Sequence, residues 1–160
     1  MIFRESEFVE LKSEVVSDIC KEVIAFANKE GGTIYIGVQD DGQILGIENA
    51  DRVILQINNM VRDSIKPDIT MFVRYEALET DGKQIVAVTV QKGTDRPYYL
   101  GSKGLKPSGV YVRNGTFTDP ATDTAIRKMI KETDGDCFED TDERGDSFRQ
   151  GLEAQLLKKL

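Results

Sequence analysis

Glu5 and Glu10 flank the segment Phe8-Val9-Glu10-Leu11-Lys12, and Asp40 and Asp41 fall in the turn that follows residues 33–38. The alternation of apolar and charged residues over 8–12 predicts a half-buried strand. If that strand lies beside 33–38, Glu5, Glu10 and Asp40 or Asp41 gather at one sheet edge. Such a set could hold Mg²⁺ or Mn²⁺, hard cations that take oxygen ligands, with Lys12 left to neutralise a phosphate. The same residues also have simpler uses: Glu5 as a solvated charge, Glu10 as the partner of Lys12 or another strand, and Asp41 as a turn former.

A second constellation is basic and aromatic. Residues 92–113 hold Lys92, Arg96, Lys103, Lys106 and Arg113 against Asp95 alone, with Tyr98, Tyr99 and Tyr111 interspersed. Arginine and lysine contact phosphates, and a tyrosine that stacks on an unpaired base contributes ~1–3 kcal/mol. Arg96, Tyr98, Tyr99, Lys103, Lys106 and Arg113 are therefore the candidate nucleic-acid contacts. A solvated loop carrying half-buried strand tyrosines accounts for the pattern equally well. The formal net charge of −7 argues against a generic polyanion binder. Residues 131–160, however, carry nine acidic and five basic side chains, so four of the seven excess negative charges belong to the tail.

Composition narrows the chemistry further. Histidine is absent, which removes imidazole-based catalysis and the usual imidazole metal ligands. Cys20 and Cys137 have neither a paired spacing nor a secreted context and are expected as free thiols. No apolar run is long enough to span a bilayer and the N-terminus lacks the regions of a signal peptide, so a cytoplasmic protein with no membrane partner is expected. No phosphate-binding loop or dinucleotide fingerprint occurs, so ATP is not supported by any motif.

These residues need a scaffold. Residues 17–28 place Ile19, Cys20, Val23, Ile24 and Ala27 at helical spacing, with Ser13 or Ser17 as N-cap and Gly31-Gly32 as the stop. Residues 33–38 and 44–47 around Asp41-Gly42 predict a β-hairpin, and 69–78 and 84–91 around Asp81-Gly82 predict another. The second strand of the latter is apolar enough for the sheet centre. A helix is expected over 50–65, a short extended segment at 97–100, a strand at 110–112, and a helix opened by Asp119-Pro120. The reading is an α+β domain over 1–131, a mixed, largely antiparallel sheet with helices packed on it. An acidic linker (132–146) and a short amphipathic helix (147–160) follow.

Three separated blocks, 5–12, 25–47 and 109–115, occur in the order of a known family. The chain resembles the Schlafen-like, AlbA-type DNA-binding domain, once described as a divergent AAA domain, from about Glu5 to about Ile130. The resemblance implies a nucleic-acid-binding module, for DNA more than RNA, of a transcriptional regulator with further C-terminal domains, often ending in a winged helix. ATP binding would rest on the older family name alone. Ribonuclease members of the family use three carboxylates. Glu5 and Glu10 match the two glutamates in spacing, and the aspartate falls at Asp40 or Asp41. Arg113-Asn114-Gly115 matches the family's arginine-glycine turn. Three functions stay open: noncatalytic binding, a Mg²⁺- or Mn²⁺-dependent ribonuclease using Glu5, Glu10 and Asp40, and a protein-interaction or homodimerisation module.

Overall fold

A computed structural model describes residues 2–139, with side chains to residue 134. Its centre is a four-stranded sheet in the order β1-β2-β5-β4. Strand β1 (Val9–Lys12) is parallel to β2 (Gly32–Ile36), and helix α1 (Ile19–Ala27) forms the crossover between them. Strand β5 (Lys83–Val90) lies antiparallel between β2 and β4 (Val73–Thr80), the interior place that its apolar composition predicts. The β4–β5 hairpin closes through Asp81 and Gly82, both at positive φ, as an Asp-Gly turn requires.

The hairpin expected from Asp41-Gly42 is reduced to a single bridge, Val38 to Ile44, below a turn closed by the Gln39 N–H on the Gln43 carbonyl. The reason is that both edges of β2 are already taken, by β1 and β5. Nothing remains for residues 44–47 to pair with along β2.

Helix α1 buries nearly every side chain, with Ile19, Val23, Ile24 and Phe26 fully enclosed. They pack with Ile34 and Ile36 of β2 and Val86, Val88 and Val90 of β5. Neither Ser13 nor Ser17 caps α1, since the N-cap is Asp18 with no side-chain bond. The stop is as expected. Gly31 takes φ 84°, where a Cβ would meet the Val90 carbonyl at 2.6 Å, and a Cβ on Gly32 would strike the Phe26 ring at 2.5 Å. Helix α2 (Ala50–Ser64) covers the same sheet face, capped by Asn49, whose side chain accepts from the Arg52 N–H. The other face is closed by Phe3, Leu11, Val38 and Ile85, with Phe3 edge-on to Tyr35 at 4.8 Å.

Two short pairs complete the fold: β3 (Ile65–Lys66) with β6 (Tyr99–Leu100), and β7 (Tyr111–Asn114) with β8 (Phe117–Pro120). Asp119-Pro120 ends β8 rather than opening a helix. Helix α3 (Asp123–Glu139) starts later, where the Thr122 hydroxyl accepts from the Ala125 N–H. Ile126 and Met129 seat α3 on Val110 and Ala121. The helix runs through Glu139, into the stretch expected as linker. The rest of that linker, the helix expected over 147–160 and the Cys137 thiol lie outside the described residues. Cys20 is buried and free. Among the described residues, no helix is long and apolar enough to cross a membrane.

Candidate functional site

Alternation along β1 sends Leu11 to the far sheet face, so Glu10 and Lys12 share the face that α1 covers. Both side chains therefore meet the helix. Arg113 comes from β7, which packs against α1. Its Nη1 donates to Glu10 Oε1 at 2.7 Å and to Thr118 Oγ1 at 3.0 Å, and its Nη2 donates to the carbonyls of Ser6 and Val9 at 2.9 and 3.0 Å. The guanidinium lies 5.0 Å from the Phe26 ring centroid, and the residue is 4% exposed. One arginine thus neutralises Glu10 and occupies the Ser6 and Val9 carbonyls at the start of β1, an edge strand of the main sheet among the described residues.

Glu22, on α1, completes the cluster. Lys12 Nζ stands 3.5 Å from its Oε2, and the Thr118 hydroxyl also bonds it. Burial, and then the neighbouring Glu10 carboxyl, push Glu22 up to about 7. Burial also raises Glu10, with Glu5 adding to the shift, while the bonds from Glu22 and Arg113 pull it down. The directions describe a coupled, buried carboxyl pair that holds a proton more readily than free carboxylates do, with Arg113 bound to its Glu10 member. Glu22 was not among the residues expected from the sequence. Its signal was there, as the one acidic residue in the apolar run 19–27.

The carboxylates read from sequence do not assemble as a metal site. Glu5 Oε2 accepts from the Leu11 N–H at 3.4 Å beside Glu10, but Glu10 is turned inward onto Arg113. Asp40 and Asp41 are exposed on the turn, where they line a recess with Ser13 and Gln39, and Asp41 Oδ1 accepts from the Gln43 N–H at 2.9 Å. Among the described residues no group of three or more Cys, Asp or Glu side chains is placed to hold a metal ion. A hard cation would have to compete with the Arg113 guanidinium for Glu10, and these residues do not fit one.

The basic and aromatic set divides as well. Tyr98 and Arg113, expected as contacts, are interior and correct that expectation. Tyr98 is fully buried because the Asn28 side chain holds its backbone: the Tyr98 N–H donates to Asn28 Oδ1 at 2.8 Å, and Asn28 Nδ2 donates to the Tyr98 and Tyr111 carbonyls at 3.1 and 2.9 Å. The Asn28 clip was another feature missed in the sequence. Tyr99 is half-buried in β6 and packs with the α3 cluster. Lys103 and Lys106 are exposed on the loop between β6 and β7. Arg96 is partly exposed, with Nη1 3.2 Å from Glu132 Oε2 and Nε donating to the Gly93 carbonyl at 3.0 Å.

An α+β domain with a mixed sheet and an internal glutamate-arginine clasp is thereby defined. The sequence model described as "Schlafen, AlbA_2" matches residues 5–122, and the chain belongs to that family. Among solved structures it is similar to the DIP2311 protein from Corynebacterium diphtheriae, with 20% identity and a TM-score of 0.55, over 72% of this chain and 22% of that one. It is also similar to the N-terminal domain of a protein from Nitrosomonas europaea related by name to the ATP-dependent DNA helicase RecG. That match has 22% identity and a TM-score of 0.50, over 72% of this chain and 82% of that one. The chain thus spans about a fifth of the length of the DIP2311 protein. A search among curated proteins finds no significant match.

Proposed function

We propose that this chain is a noncatalytic nucleic-acid-binding domain, with DNA as its preferred partner, serving a transcriptional regulator in the cytoplasm. The observation that carries the reading is the division of charge. The Glu10 carboxylate that a nuclease would present is clasped by Arg113 inside the fold, while Lys103 and Lys106 are exposed and Arg96 is partly exposed. The family, and a similar structure related by name to a DNA helicase, support a nucleic-acid partner. Electrostatic attraction between such cations and phosphates needs no metal and no bond cleavage.

The test is a titration of the purified chain against labelled duplex DNA, single-stranded DNA and tRNA, with and without Mn²⁺. Salt-sensitive binding with the nucleic acid recovered intact is expected, tightest for DNA. Metal-dependent cleavage that Glu5→Gln, Glu10→Gln and Asp40→Asn each suppress would replace this reading with a ribonuclease. A chain inert to all three nucleic acids would leave the interaction-module reading.

A further inference from the structure

We infer that a cleft of about 340 Å³ between the end of α1 and helix α3 is the seat of a phosphodiester backbone, an assignment that rests on the nucleic-acid function proposed above. Four cations line it: Lys29, Lys92, Arg96 and Lys128. They come from three separate parts of the chain, and only Lys92 and Arg96 belong to the basic segment visible in the sequence. The two carboxylates in the same cleft are already engaged. Glu30 lies 3.5 Å from Lys92 and Glu132 lies 3.2 Å from Arg96. Among the described residues no ion pair engages Lys29 or Lys128, and both are exposed. Among the described residues, two positive charges in one concave site are therefore without an ion-pair partner, in a chain whose net charge is −7.

The end of a helix would ordinarily repel an anion through its free carbonyls. Here those of Ile24, Phe26 and Ala27 accept from the N–H groups of Asn28, Gly31 and Gly93. Arg96 is positioned in advance: its Nε is held by the Gly93 carbonyl, and its own carbonyl accepts from the Thr133 hydroxyl at 2.8 Å. A guanidinium fixed in this way gives up little freedom when a phosphate binds. Val112 and Met129 supply apolar wall on which a sugar can rest. Lys103 and Lys106 stand outside this cleft.

The experiment measures affinity and its salt dependence for the full chain with duplex DNA, single-stranded DNA and tRNA, using the double variant Lys29→Glu, Lys128→Glu beside Lys103→Glu, Lys106→Glu. Every phosphate that is no longer neutralised lowers the salt slope by about one unit and the affinity by about tenfold near 0.1 M salt. The cleft variant is expected to bind about 100-fold more weakly with a slope flatter by about two units. Thermal melting checks that it is folded, and Lys29→Gln, Lys128→Gln serves if charge reversal lowers the melting point. Unchanged affinity and slope in the cleft variants, or weakening confined to the Lys103 and Lys106 variant, overturns this site while leaving the function standing. A parent that binds none of the three polynucleotides overturns both. Stronger capture of poly-glutamate than of any polynucleotide assigns the cleft to an acidic peptide and overturns the phosphodiester reading. The DNA and tRNA arms distinguish the two sources of the backbone.

Discussion

The carboxylate of Glu10 and the guanidinium of Arg113, 103 residues apart in sequence, meet at 2.7 Å with both groups shielded from water. Removing one partner of such a pair leaves a buried charge with no counter-ion, at a cost of about 3–5 kcal/mol. Arg113→Met should therefore destabilise the fold by that order in urea unfolding. The double variant with Glu10→Gln should recover part of the stability, because no carboxylate is then stranded. A single variant as stable as the parent would show that the clasp is not formed in solution.

Asn28→Ala removes three buried hydrogen bonds at once and leaves the Tyr98 N–H and two carbonyls without partners. The expected destabilisation is about 2–4 kcal/mol. Asn28→Asp should cost more, since an oxygen would then face the Tyr98 and Tyr111 carbonyls. The order of denaturation midpoints, parent above Ala above Asp, checks the assigned geometry.

Glu22 gives a pH dependence of definite sign. Its folded carboxyl titrates at about 7 against an ordinary value of 4.5. The folded state therefore binds the extra proton, and the stability linked to it is full below about pH 4.5 and lost as pH rises through about 7. The change attributable to this residue is on the order of 3 kcal/mol. Glu22→Gln, which stays neutral, should shrink the fall in melting temperature between pH 5 and pH 8. A parent and variant with parallel profiles would contradict the buried pair.

The Tyr75 hydroxyl is enclosed with no hydrogen-bond partner among the described residues, and burial pushes its pKa up to about 12. Replacing it by phenylalanine removes a desolvated polar atom at nearly constant shape, so Tyr75→Phe should hold or raise stability by about 1 kcal/mol. A clear drop in chemical denaturation would mean that the hydroxyl has a partner.

Local pattern served well where local forces decide. The apolar spacing of Ile19, Val23 and Ile24, the Gly31-Gly32 stop and the Asp81-Gly82 turn each act within a few residues, and each is realised as expected. What depends on distant partners was not visible. Asp41-Gly42 does make a turn, but whether the chain beyond it joins β2 is settled by β1 and β5. Arg113 and Tyr98 looked like surface contacts because side-chain chemistry does not reveal enclosure. Their places depend on Glu10 and Asn28, which lie far upstream. The cleft shows the converse: Lys29 and Lys128 look ordinary as sequence and gain meaning only when α3 lies against the end of α1.

The Asn28 clip also has a consequence during synthesis. Its partners Tyr98 and Tyr111 lie 70 and 83 residues downstream, and the partner of Glu10 lies later still. At a ribosome speed of roughly 5–20 residues per second, Asn28 waits roughly 4–17 s for both partners to be made. Throughout that interval the nascent chain carries an almost wholly apolar α1 whose closing segment does not yet exist. A nascent chain halted before Tyr98 should accordingly be a far better client for chaperones than one halted after Arg113, even though the four strands of the main sheet are already complete.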